Sequence, residues 1–397
     1  MGCNMTTSKK HISQFGKTFD YLKNAELRDK EKGDALITVD GATVAGNGFQ
    51  YVEWRNMVFK NCDFVGAYEV KLSRMTNVRF EDCRFAGIFG FGVATNAHFL
   101  RCGWAGPSIG TSRKGSKNVV FEECKFVGET SDPNHRGGVG SDGEAKFIRC
   151  TAKWFTLEGY EKLELLNCEL NTCNIDTDSV GNSGENFSYS SVLIDNCKLR
   201  GLFKMVSSSL QSLTIRDTVI DNLDLSGATV KGDIFMERIK AATVNAGVTN
   251  ARNFTITDSQ INGPGDITFV MAMDSVEQVL LDGVSFGTGL TTRVNLGPGR
   301  ALRADEWLAV PTNKLAVIRN CTLPIVDASW LETQHLKMEK NTIGSINLSS
   351  SRIGTLELTG NTISRTVDFT HTQARQSKVQ ALAKGPAKLD GSNVKVN

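Results

Sequence analysis

The chain has 397 residues, with 45 Lys or Arg against 43 Asp or Glu and a formal net charge of +2. Both signs are spread along the sequence, which excludes an electrostatic groove for nucleic acid and equally an acidic mimic of it. No apolar stretch is long enough to cross a bilayer or to serve as a secretory h-region. Five histidines and no Cys-x-x-Cys pair give no reason to expect a metal centre, and no cofactor motif is present.

The chain begins Met1-Gly2-Cys3-Asn4-Met5-Thr6, which fits the N-myristoylation pattern of a mature N-terminal Gly with Ser or Thr four positions on. Cys3 offers a second, palmitoylated anchor, and two acyl chains hold a protein at a bilayer where one does so only marginally. Translation from Met5 would remove the pattern. The beginning resembles that of bacterial type III effectors acylated inside a eukaryotic host. That resemblance implies a virulence role, a reducing cytoplasm, and residues 1–9 as a flexible tether to the host plasma membrane. Residues 10–34 are polar but carry Phe15, Phe19, Tyr21, Leu22 and Leu27, a spacing that predicts a short helical cap over the first coil of a repeat region that starts at residue 35.

From residue 35 to residue 369 one phrase recurs: apolar, two polar residues, a small residue, one polar, apolar. Phe59-Lys60-Asn61-Cys62-Asp63-Phe64, Phe80-Glu81-Asp82-Cys83-Arg84-Phe85 and Ile318-Arg319-Asn320-Cys321-Thr322-Leu323 are clear copies. With the small residue as marker, copies fall at Cys62, Cys83, Cys102, Cys124, Cys150, Cys168, Cys197, Thr218, Arg238, Ser259, Val284, Cys321, Asn341 and Asn361, the Arg238 and Val284 copies being poor. The basal period is about 20 residues and leaves no room for a helix, so each repeat is one coil of a solenoid whose strands stack in parallel. The expectation is an all-β chain, a single right-handed parallel β-helix of about fourteen coils. Equivalent residues then lie above one another, and the markers form an internal ladder. Ten cysteines, eight of them at markers, read as free thiols packed in that ladder, because Cys tolerates burial and Thr, Ser and Asn replace it there. Residues 370–397 are expected to form a C-terminal cap and tail.

Cys62-Asp63-Phe64-Val65-Gly66, Cys83-Arg84-Phe85-Ala86-Gly87 and Leu225-Ser226-Gly227-Ala228-Thr229 resemble units of the pentapeptide-repeat family, in which a central Leu or Phe and a small residue two positions earlier face the core. The variable gaps and strand phrasing resemble more closely the right-handed parallel β-helices of the pectate-lyase type, a class that includes polysaccharide lyases and hydrolases.

Three insertions interrupt the period, and insertions in solenoids emerge as loops that often bind. Residues 128–145 carry His135, Arg136 and Asp142; residues 171–191 carry Asp176 and Asp178; residues 287–314 carry Arg300 and Trp307. The first two are one coil apart and are expected to line one polar groove. Glycoside hydrolysis needs two facing carboxyl groups, and Asp142, Asp176 and Asp178 are the residues that could supply them. Asn174-Ile175-Asp176 with Asp178, and Arg238-Ile239-Lys240, resemble two polygalacturonase motifs. The second paired-acid segment and the Gly-His-Gly of that family are missing, and no His occurs between His135 and His335. The expectation is therefore a non-enzymatic binding or scaffold protein that meets a protein partner through its lateral sheet and through His135, Arg136, Arg300 and Trp307. The competing expectation is a carbohydrate-active β-helix, lyase, hydrolase or tailspike-like, acting on polysaccharide.

Overall fold

A computed structural model describes residues 4–6, 36–45, 50–65, 70–86, 89–105, 108–111, 115–127, 137–140, 143–153, 155–176, 190–206, 208–248, 250–263, 265, 267–287, 289, 291–297, 313–380 and 387–396. The expected helical cap over residues 10–34 lies outside them, as do Gly2 and Cys3. The fold is an all-β parallel solenoid, and it divides into two compact units, residues 1–200 and 201–397.

In the first unit the main ladder climbs through Ile37–Asp40, Gln50–Lys60, Val70–Glu81, Phe89–Leu100, Ser116–Glu122, Gly143–Ile148, Lys162–Leu166 and Ser190–Asp195, each parallel to the one before. The period-2 alternation sends one side chain of each pair inward, and parallel register puts like upon like. Phe59, Phe80, Phe99, Phe121 and Phe147 thus form one stack, with successive centroids 5.1, 4.7, 4.7 and 4.7 Å apart and rings within 9° of parallel. Phe64, Phe85, Trp104 and Phe126 form a second stack beside it, and Trp104 faces inward as its place in the phrase requires. Residues 4–6, expected as part of a flexible tether, form a strand on Ile37–Asp40. An edge strand offers unpaired backbone groups to any extended segment that reaches it.

The second unit repeats the plan with mostly aliphatic contents, among which Phe254, Phe269 and Phe286 meet edge to face. Its main ladder runs through Ser209–Arg216, Asp233–Glu237, Ala251–Thr257, Val276–Asp282, Leu315–Arg319, Glu332–Glu339, Arg352–Thr359 and Gln373–Val379. Ladder pairing continues past residue 369: Gln373–Val379 lies on Arg352–Thr359, and Ala387–Lys388 on Val367–Asp368. The stretch expected as cap and tail therefore contributes strands of its own.

The corner that ends each main strand explains the repeated phrase. The residue before each marker takes a left-handed backbone, φ 50° at Asn61, 53° at Asp82, 51° at Asn196 and 66° at Gly283. Asn, Asp and Gly tolerate that region best. This turn points the marker side chain inward, and thirteen of the fourteen markers are at most 2% exposed. The exception corrects the sequence register. Arg238 itself has φ 50° and is exposed, while Ile239, 1% exposed, fills the marker position. Ile239 is larger than any other marker residue, so in the sequence it passes for the second apolar residue of the phrase. Arg238 points outward and grips Asp217 with two hydrogen bonds of 2.7 and 2.8 Å.

The marker side chain does more than fill space. Cys83 donates to the carbonyls of Glu81 and of Phe59, the latter in the rung before, and Cys124 does the same to Glu122 and Phe99. Asn341 bridges more completely: its Nδ2 donates to the Ile318 carbonyl at 2.8 Å, and its Oδ1 accepts from the Cys321 N–H at 2.9 Å. Asn361 repeats this toward Met338 and Asn341. The corner leaves backbone groups of two different peptides, such as the Ile318 C=O and the Cys321 N–H, facing the core. A small side chain with a donor, an acceptor or both, one rung on, satisfies them.

Candidate binding groove

Most of the residues singled out in the insertions, His135, Arg136, Asp142, Asp178, Arg300 and Trp307, lie outside the described residues, and so does the side chain of Asp176. The backbone flanks are described. Asp176 ends the strand Glu169–Asp176 and pairs with Glu158 on the adjacent strand Phe155–Glu158. Gly143, the residue after Asp142 in the chain, lies against Ser116, and its carbonyl accepts from the Glu161 N–H; the Glu161 carbonyl accepts in turn from Ser191. The first two insertions therefore return to the ladder at rungs stacked on one corner. Glu158, beside Asp176 in the ladder, is an acid that the spacing of the insertions does not single out. The Arg238-Ile239-Lys240 motif is occupied otherwise: Arg238 is held by Asp217 and Glu237, and Ile239 is core.

A concave feature lies elsewhere, on the outer face of the second unit's main sheet. It is a groove of 610 Å3. Apart from the backbone-level neighbours Ile234 and Val279, its lining consists of outward-facing residues on five successive rungs, in two columns set by period-2 alternation. One runs Ser212, Asp233, Asn253, Gln278, Leu315; the other runs Thr214, Phe235, Thr255, Leu280, Val317. The inward partners Leu213, Ile215, Ile234, Met236, Phe254, Ile256, Val279 and Leu281 are fully buried and fix the rungs from behind.

The lining is electrically quiet. Asp233 is its one ionisable group, and Arg252 holds it through paired 3.0 Å hydrogen bonds while Asn253 donates at 2.7 Å. The Arg252 guanidinium keeps the Asp233 carboxyl below its usual range, against an opposing penalty of burial, and the hydrogen bond from Asn253 adds to the lowering. The rims carry charge that is already paired: Arg238 with Asp217, Arg319 with Asp282, Lys314 with Glu277. Beyond Val317 the column turns charged at Lys337 and Glu357, where Lys337 pairs with Glu339 and His335 lies 3.3 Å from Glu357. On the main sheet of the first unit, Lys146 and Lys162 converge on Glu164. The groove is thus a neutral run of rungs, and Ser212, Thr214, Thr255 and Gln278 have no side-chain hydrogen bond among the described residues.

Sequence reasoning misses this site because it lies in unbroken repeats, whereas the expectation of binding attaches to the interruptions. The signal is present all the same: the two central outward positions of the strands between residues 209 and 319 read Ser-Thr, Asp-Phe, Asn-Thr, Gln-Leu and Leu-Val, with Asp233 their one charge, while the flanking outward positions carry Arg216, Glu237, Arg252, Glu277, Asp282 and Arg319. Among the described residues no cluster of His, Cys, Asp and Glu could hold a metal. With one carboxylate, itself engaged, the groove lacks the facing acid pair that glycoside hydrolysis uses. Comparison with protein-family models, with curated proteins and with solved structures finds no match.

Proposed function

We propose that this chain is a non-enzymatic binding solenoid that holds a partner along the outer sheet face of its second unit. The observation that carries this is the neutral groove over five rungs, with an apolar and hydroxyl-bearing centre and a rim of satisfied ion pairs. Uncharged centres with polar rims are the anatomy of binding surfaces, and a volume of several hundred Å3 is that of a ligand cleft. A rigid floor lowers the ordering cost of binding, since each lining residue is clamped by its ladder neighbours.

A photo-cross-linking side chain placed at Thr255 tests this, with one at Thr355, on the same face beyond the neutral run, as comparison. Adducts formed at residue 255 in the source cell's extract and absent at 355 are expected; equal labelling at both would remove the groove from consideration. A host-membrane role is supported only by the Met1–Thr6 pattern. It adds the expectation of acyl mass on Gly2 and Cys3 after co-expression with a eukaryotic N-myristoyltransferase.

A further inference from the structure

The groove's chemistry also narrows the class of partner. On the reading that this groove is the binding face, we propose that its ligand is a neutral, hydroxyl-rich polymer, a glycan chain without acidic sugars, lying across the rungs.

Charge is the first argument. No basic side chain lines the groove, and the nearest guanidinium, Arg252, is engaged by Asp233. A uronate, a phosphate or a nucleic acid would find no counter-charge and would meet the Asp233 carboxylate. A cationic segment would have to displace Arg252 from a two-point hydrogen-bonded pair, the strong form of such a contact.

Hydrogen-bonding capacity is the second. Ser212, Thr214, Thr255 and Gln278 present unpartnered hydroxyl and amide groups, and each can both donate and accept. Sugar hydroxyls do the same, so either partner can take either role. The half-buried ring of Phe235 sits in the middle of this lattice, a flat apolar surface for the C–H face of a sugar ring. Leu280 and Val317 extend that surface to the next rungs.

Composition separates this from a protein interface. Protein hot spots are rich in Trp, Tyr and Arg and poor in Ser, Thr, Val and Leu. The lining has none of the first group and is dominated by the second. The rungs also repeat at a constant rise of about 4.8 Å, which suits a ligand that repeats as well.

The test uses the full chain and defined oligosaccharides of four to six sugars: neutral gluco-, manno- and galacto-oligomers, with oligouronates of the same length as charged comparators. Binding is read by isothermal titration and by ligand-observed NMR, for the native protein and for Phe235→Ala, Gln278→Ala and Thr255→Lys. At least one neutral series is expected to bind, with uronates at least tenfold weaker. Phe235→Ala should lose about tenfold, the loss of one stacking contact, and Thr255→Lys should lose binding while the melting temperature stays within a few degrees. Lys146→Ala, on the first unit, should change nothing. Neutral sugars that bind with equal affinity to Thr255→Lys, tighter binding of uronates, or no binding of any series at 10 mM would each overturn the proposal. Should a protein be cross-linked at residue 255 while no glycan binds, the groove stands and the glycan falls. No adduct and no glycan together would end both.

Discussion

Replacing Asn341 by Ala tests whether the marker side chain clamps the corner of each rung. Asn341 is 2% exposed and completes two backbone groups of the preceding rung: its Oδ1 accepts from the Cys321 N–H at 2.9 Å and its Nδ2 reaches the Ile318 carbonyl at 2.8 Å. It also donates to Asn361 Oδ1 at 2.9 Å. Ala removes all three and fills less volume at a buried site. A buried group left unsatisfied costs about 1–3 kcal/mol, so the two backbone orphans cost about 2–6 kcal/mol together. Asn341→Cys keeps a weaker S–H donor of the kind that Cys321 uses toward Leu281, and should cost roughly 1–2 kcal/mol.

The assay is urea denaturation combined with native-state hydrogen exchange, because long repeat arrays can open locally rather than all at once. The Cys321 amide should exchange about a hundredfold faster in Asn341→Ala, as RT ln 100 is about 2.7 kcal/mol, while amides in the first unit stay unchanged. Asn341→Cys should fall in between. If Asn341→Ala costs less than about 1 kcal/mol, or if Cys costs as much as Ala, the marker is only a space filler and the clamp account fails.

Phe99→Ala empties the centre of an aromatic stack with neighbours 4.7 Å on either side, and should cost about 3–5 kcal/mol by urea denaturation. Val284→Thr puts a hydroxyl at a marker position and should be neutral or stabilising, whereas Val279→Thr, a core position without such neighbours, should cost about 1–3 kcal/mol. Burial pushes the Cys321 thiol up from 9.0 to about 11, so its contribution to stability is fully present below pH 9 and is lost as pH rises through about 11. Thermal melting should therefore fall between pH 9 and pH 11, and Cys321→Thr should lessen the fall. Ligand binding in the groove should be flat from about pH 5 upward, because Asp233 is held below its ordinary 3.8 and stays ionised throughout; a titration of affinity by isothermal calorimetry that shows a midpoint above about pH 5 would refute this.

The period, the parallel stacking and the inward markers were legible from the chain because a solenoid repeats one environment at a fixed interval, so a pattern of residue types carries the register. Arg238 shows how legibility fails. Its copy holds Ile239 where the others hold a small residue, and only the left-handed φ at Arg238 reveals which of the two turns inward. The role of Asn341 was legible only by halves. Its smallness and burial are dictated by the ladder, whereas its reach back to Ile318 and Cys321 depends on which backbone groups the corner turns toward the core. The groove failed for another reason. Outward residues are free of packing constraints, so a run of Thr214, Phe235, Thr255, Leu280 and Val317 has no periodic signature to separate it from ordinary solvated positions until the strands are set side by side.

That separation of inward and outward positions is also why stability and the proposed binding need not compete. Each strand assigns alternate positions to stability and to the surface, and the marker clamp satisfies the corner without drawing on any outward side chain. Phe235 can therefore be exchanged without loosening Ile234 or Met236, which flank it in sequence but face the opposite way. Where the outward column is charged, as at Lys146 and Glu164, the chain commits those positions to mutual ion pairs that contribute little to stability. Where it is neutral, over the five rungs from Thr214 to Val317, nothing in the fold requires those residues, and it is there that a binding partner has the most to gain.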